Sequence, residues 1–230
     1  MNKVGWIIFG VVVVGLLGGL VAYSRLSNPS ANVSSIDANS IAAASDQNGQ
    51  IADHVIGNTD SKVILIEYGD FQCPSCGGAH PQIKEVTEEY KDEVLFIFRN
   101  FPLTTIHPNA RAAAATVEAA GLQGKYWEMH DVVFENQGEW ESLNGTERTD
   151  KFASYAVELG LNKDTFLKDI ASTNVNQKIS FDQAIGKKIN VDSTPSFYLN
   201  GKALDNAVSS SIVQGSTTEL KALLDEALGR

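Results

Sequence analysis

Cysteine is almost missing from this chain: its 230 residues include two, Cys73 and Cys76. A scaffold held by several disulfides is thereby excluded, and so is a four-cysteine zinc site. A disulfide between positions so close in sequence constrains the unfolded chain little, which makes a purely structural staple a poor use of the pair. Histidine is scarce too. Of the four, His54, His107 and His130 are scattered without ligand spacing, and only His80 lies near the cysteines. Basic residues are outnumbered, 18 Lys and Arg against 28 Asp and Glu, for a formal net charge of −10. That balance argues against nucleic acid or an anionic lipid surface as a partner and favours solubility. Gly124-Lys125 lacks the glycine that a phosphate loop needs five positions earlier, where Ala119 stands, so nucleotide binding is rejected. No internal repeat is visible.

Charge is also absent from Val4 to Tyr23, a run rich in Val, Leu, Ile and Gly. At about 1.5 Å per residue it is long enough to cross a hydrocarbon core of about 30 Å, longer than the apolar core of a cleaved signal peptide, and its exit offers no convincing Ala-x-Ala. Residues 1–23 are therefore expected to be an uncleaved membrane anchor. Lys3 precedes the run and Arg25 alone follows it, which keeps the N-terminus cytoplasmic and the rest of the chain extracytoplasmic. Residues 24–50, Ser, Asn and Ala with few large apolar groups, read as a flexible tether. Residues 51–230 have the length of one domain.

The two cysteines form Cys73-Pro74-Ser75-Cys76, directly after the apolar run Val63-Ile64-Leu65-Ile66-Glu67-Tyr68, which reads as a buried strand. A helix is expected next, with Ile83, Val86, Thr87 and Tyr90 on one face and a kink at Pro81. Its free N–H groups face the first sulfur and favour thiolate over thiol. Two thiols at a strand-to-helix junction point to redox chemistry. The alternative is a metal-binding chaperone using Cys73, Cys76 and His80. Glu67 is a charged residue in an otherwise apolar strand, and an acid is rarely buried without a partner or a task; the other reading is a strand-end acid reaching solvent. Val94 to Phe98 is a second strand, parallel to the first across a right-handed crossover. Several helices follow, the first capped by Asn109 and ended by Gly121. Strand returns at Ser196 to Leu199, and Asn200-Gly201 signals a hairpin. A final helix is capped by Thr217 or Thr218.

Strand, Cys-Pro-Ser-Cys, helix, strand, helical insertion, Thr194-Pro195, hairpin and helix together resemble the DsbA-like family of thiol-disulfide oxidoreductases over about residues 53–229. The marks are Glu67-Tyr68-Gly69-Asp70-Phe71-Gln72-Cys73-Pro74-Ser75-Cys76, Gln123-Gly124-Lys125-Tyr126-Trp127-Glu128-Met129-His130-Asp131, and Val191-Asp192-Ser193-Thr194-Pro195-Ser196-Phe197. The resemblance implies an α/β thioredoxin-like fold, a central mixed sheet flanked by helices, with an α-helical domain inserted at about 105–190. It implies that Cys73 is the nucleophile and Cys76 the buried resolving partner. Pro195 would be cis and hold the Thr194 backbone against the sulfurs, and Glu67 would lie beneath the disulfide and shuttle a proton. The Pro74-Ser75 dipeptide departs from the Pro-His pair of the best-known oxidases and makes a less stabilised thiolate. The implied activity is an oxidase that introduces disulfides into reduced, unfolded exported proteins and is reoxidised by a quinone-linked membrane protein. No cofactor or metal is implied, and a monomer is expected. A reductase or isomerase with the same site is the rival, and a chaperone without turnover a third.

Overall fold

The computed structural model describes Trp6, residues 9–16 and 18–19, and residues 31–230. The N-terminal stretch and residues 32–230 are separate compact units. In the first, Trp6, 9–16 and 18–19 are helical. Among the described residues no helix is long and apolar enough to cross a membrane. The expected span Val4–Tyr23 lies in part outside the described residues, as do residues 24–30 of the expected tether.

The second unit is built on a five-stranded sheet: β1 (His54–Gly57), β2 (Ile64–Gly69), β3 (Leu95–Asn100), β4 (Ser196–Leu199) and β5 (Lys202–Ala203). The spatial order is β1-β3-β2-β4-β5. β2 and β3 are parallel, and helix α1 (Pro74–Glu89) is the crossover between them. The other three pairs are antiparallel, so the sheet is mixed. Both central strands are buried nearly throughout, as their unbroken apolar runs require. The hairpin turns at Asn200 (φ 49°) and Gly201 (φ 80°), two left-handed positions in succession. The Asn200 side chain also accepts a hydrogen bond from the Ile64 amide at 2.8 Å and so ties the turn to β2.

Between β3 and β4 the chain makes six helices: α2 (Ala110–Gly121), α3 (Tyr126–Glu135), the single turn α4 (Gln137–Trp140), α5 (Gly145–Glu158), α6 (Lys163–Ile170) and α7 (Thr173–Lys188). Helices α8 (Asn206–Val213) and α9 (Thr218–Leu228) complete the chain. Side chains alternate across the sheet. On one face Leu65, Phe96 and Phe98 share a core with Cys76, Ile83 and Val86 of α1 and with Met129, Val133 and Phe134 of α3. On the other, Tyr68 meets Phe101 and Tyr198 edge-on. α7 closes on this face at Gly186, where a Cβ would come within 2.8 Å of the Phe101 ring.

Three local expectations change. Asn109 stands at the N-cap of α2 without capping it. Its amide donates instead to the carbonyls of Glu141 (3.0 Å) and Leu143 (2.6 Å), and its oxygen accepts from Arg148. Thr217 is likewise an N-cap position with no side-chain cap bond. The larger correction is the flexible tether: residues 32–50 pack against the domain, with Val33, Ala38, Ala42 and Asn48 buried. Cations hold the segment: Lys188 Nζ donates to the carbonyls of Val33, Ser34 and Ile36. Arg99, fully buried on β3, donates to the carbonyls of Ala38 (2.5 Å) and Ser40 (2.7 Å) as well as to Asp53. A buried guanidinium needs acceptors, and the backbone of this segment supplies them.

Candidate active site

Strand β2 ends at Gly69, and the chain reaches Cys73 through a loop that hydrogen bonds fix from several sides. The Asp70 carboxylate accepts from the Gln72 and Leu103 amides, each at 2.8 Å, and contacts His107 Nδ1 at 2.8 Å. Gln137 of α4 donates to the carbonyls of Phe71 (2.7 Å) and Cys73 (3.0 Å), so the helical insertion holds the loop that carries the nucleophile. Gln72 returns the tie, donating to Glu141 O and accepting from the Asn109 amide. Asp70, His107, Gln72 and Gln137 were not singled out from the sequence; nothing local marks a residue whose partners lie tens of positions away.

Cys73 is the N-cap of α1 and Pro74 follows at the first helical position, where its missing N–H costs nothing. Both cysteines are free and buried. The Cys73 thiol is pushed down to about 5. A hydrogen bond from the Cys76 thiol is the main cause; burial opposes it, and the Thr194 hydroxyl and the amides of Cys76 and Ser75 add to it. Cys76 is fully buried and its pKa lies well above the ordinary thiol value, first through desolvation and then because its proton is held by Cys73. The Asp70 amide, 3.5 Å from Cys76 Sγ, works in the other direction. One spacing of three residues thus produces one acidic and one reluctant thiol.

Thr194 and Pro195 approach from the loop before β4, joined by a cis peptide bond. The Thr194 carbonyl lies 3.3 Å from Cys73 Sγ. Its hydroxyl is buried with no hydrogen-bond partner, and its nearness helps to lower the Cys73 pKa. Beside them opens a cleft of about 260 Å³ lined by Ser75, Thr194, Pro195, Ser209, Ser210 and Gln214. Ser75 faces this cleft with no cationic group.

Glu67 is interior to β2, 4% exposed, and paired in register with Phe98 and Phe197. The solvent-reaching alternative is therefore not realised. Burial is the main cause, and the charge of Cys73 the second, of a carboxyl pKa raised to about 8. With aromatic neighbours in both adjacent strands and no hydrogen bond to another described residue, Glu67 holds its proton at neutral pH. His80 lies apart from the cysteines in chemical terms: its ring stacks on Phe134, and its nearest ligand-type neighbours are His130 and Asp131. Among the described residues Cys73, Cys76 and His80 do not form a ligand set.

A thioredoxin-like mixed sheet, a run of inserted helices and a cysteine pair beside a cis-proline loop define the class as that of thioredoxin-fold proteins. A family model described as thioredoxin matches residues 49–216, and the chain belongs to that family. Its backbone is similar to the thiol-disulfide exchange protein α-DsbA2 from Wolbachia pipientis, with a TM-score of 0.63 and 20% identity over 79% of this chain and 90% of that one. It is also similar to a thioredoxin-like oxidoreductase from Silicibacter pomeroyi, with a TM-score of 0.61 and 22% identity over 77% of this chain and 93% of that one. At such identities these likenesses show the fold. A sodium–proton antiporter, NhaA 1, from Salinispora arenicola is 37% identical over 150 residues, which is 65% of this chain. The match spans 22% of that protein's length.

Proposed function

We propose that this protein is an extracytoplasmic disulfide oxidase, tethered to the membrane by its N-terminal apolar run, that oxidises reduced exported proteins through Cys73 and Cys76. The observation that carries the reading is the asymmetry of the two thiols. A stabilised Cys73 thiolate stabilises the reduced pair, and a stable reduced form makes the disulfide a stronger oxidant.

In the oxidised pair a substrate thiolate attacks Cys73 Sγ, the Cys73–Cys76 bond breaks, and Cys76 leaves with the bonding electrons. Its high proton affinity draws a proton, and the protonated Glu67 carboxyl, near enough for its charge to be felt by Cys76, is our assignment for the donor. A second substrate thiolate then attacks the substrate sulfur of the mixed disulfide. Cys73 departs as its stabilised thiolate, and two electrons have passed from substrate to protein. When Cys73 carries no proton, the Thr194 carbonyl is freed to accept an amide from an extended substrate chain. Reoxidation belongs to a quinone-linked membrane partner by analogy with the DsbA-like family.

The test is the reduction potential of the pair in the full chain, equilibrated against glutathione and read by thiol alkylation. A value less negative than about −200 mV supports the oxidase, and a thioredoxin-like value near about −270 mV makes the protein a reductase.

A further inference from the structure

One helical turn beyond Cys76, α1 meets α3 in a second cluster that thiol exchange does not use. His80 is 7% exposed and its Nε2 has no hydrogen-bond partner. That nitrogen lies 3.7 Å from Asp131 Oδ1 and 3.9 Å from Glu135 Oε1. His130, 5% exposed, brings Nδ1 to 3.3 Å from the same Asp131 oxygen. One ligand atom from each of His80, His130 and Asp131 falls within a 4.8 Å circle of mutual distances.

We propose that His80, His130 and Asp131 form a binding site for a divalent transition-metal ion of the zinc type, with the fourth position open to water. Two imidazoles and one carboxylate are a borderline nitrogen-and-oxygen set suited to zinc. Tetrahedral bonds of about 2.0 to 2.2 Å place neighbouring ligand atoms about 3.3 to 3.6 Å apart; the two imidazole contacts to Asp131, 3.7 and 3.3 Å, are close to that spacing, and all three atoms lie within 4.8 Å of one another. The carboxylates already hold a cation: Lys84 Nζ lies 2.7 Å from Asp131 Oδ2 and 2.9 Å from Glu135 Oε1. Lys84 is half exposed and its flexible stem leads to solvent, so an ion that also satisfies the imidazoles displaces it. A salt bridge among Lys84, Asp131 and Glu135 alone leaves the buried His80 nitrogen unexplained. Both imidazoles are kept neutral by burial, the form that ligates. A cleft of about 490 Å³ lined by His80, Lys84, Trp127, His130 and Asp131 gives an ion its route in.

The site is independent of the cysteines, so the test removes them. The full chain carrying Cys73→Ser and Cys76→Ser is titrated with Zn²⁺ against a chromophoric chelator. One equivalent is expected to bind. Adding His80→Gln or Asp131→Asn should weaken it on the order of a hundredfold, and Lys84→Met should tighten it by removing the competing ammonium. Should His80→Gln fail to fold, the ring nitrogens of His80 and His130 report directly, both shifting on zinc addition in nitrogen NMR spectra. No stoichiometric zinc in the cysteine-free chain, or zinc that leaves those nitrogens unshifted, overturns the site.

Discussion

Cys73 Sγ lies 3.3 Å from the carbonyl oxygen of Thr194, a residue 121 positions further along the chain. The contact joins the start of α1 to the loop before β4, and it treats the two protonation states of the sulfur differently. The thiol donates to the carbonyl. The Thr194 hydroxyl, buried and without a hydrogen-bond partner, is the group expected to turn to the thiolate.

Thr194→Val removes that hydroxyl at nearly constant volume, and the Cys73 pKa should rise from about 5 by roughly one unit, the worth of a hydrogen bond to a charge. Thr194→Ser should restore it. Thiolate ultraviolet absorbance against pH measures both, and an unmoved titration in the Val variant removes the hydroxyl from the account.

Ser75 offers no cation to the sulfur, so Ser75→His should lower the Cys73 pKa further and make the disulfide more oxidising. The same titration checks it. An unchanged midpoint means the dipeptide does not tune this thiol.

The asymmetry of the two thiols assigns their roles. Cys76→Ala leaves the acidic thiol free to attack and should accumulate mixed disulfides with protein substrates, separable on non-reducing gels; Cys73→Ala should accumulate far fewer. The reverse pattern overturns the assignment.

Glu67 and Cys73 pull stability in opposite directions in the reduced protein. The Glu67 pKa rises from 4.5 to about 8 on folding, so its contribution is complete below 4.5 and is lost as pH climbs to about 8. The Cys73 pKa falls from 9.0 to about 5, so its contribution grows over the same range. Between pH 6.5, the ordinary value for the buried His80, and about 8 the two offset each other. Urea denaturation of the reduced protein should show little slope there, a rise with pH in Glu67→Gln and a fall in Cys73→Ser. Parallel slopes in all three proteins contradict the paired titration.

Arg99 and Asp53 are both fully buried and 2.7 Å apart. Burial alone would raise the Asp53 carboxyl, but Lys178 and Arg99 overcome it and hold Asp53 well below the usual carboxylate range. Lys178 in turn bridges Asp53 at 2.8 Å and Asp182 at 2.7 Å. Arg99→Met strands Asp53 beside a single cation and should cost about 3 to 5 kcal/mol. It also withdraws the donors to the Ala38 and Ser40 carbonyls, leaving the 32–50 backbone with those of Lys188. Limited proteolysis should then cut within 32–50 before the domain unfolds; cleavage at the wild-type rate shows that the segment is held some other way.

Much of the frame was legible because it is local. The central strands announce themselves as unbroken apolar runs, and the observed β2 and β3 begin one residue later than the runs suggest. The Asn200-Gly201 turn needs two left-handed residues and names them. Strand β1 was not anticipated: three partly buried residues and an exposed glycine, His54–Gly57, carry no periodicity of their own and become a strand by pairing with β3. The packing of residues 32–50 was misread because their composition is that of a linker. Their order draws on donors far along the chain, from Arg99 to Ala38 and Ser40 and from Lys188 to Val33, Ser34 and Ile36.

The amino-acid sequence by itself determined the chemistry: two thiols three positions apart at the mouth of a helix, an acid within a strand, and motifs whose resemblance to a known family implied the fold class. Only the tertiary structure decided how those groups behave. It set Glu67 between Phe98 and Phe197, so that the acid keeps its proton, and brought Thr194 across the chain to the Cys73 sulfur. It also gathered His80, His130 and Asp131, and locked Arg99, Asp53, Lys178 and Asp182 into one buried network. Spacing along a chain reports which side chains share a turn or a face. Desolvation and Coulomb interaction depend on distance in space, and those distances exist only once the elements pack.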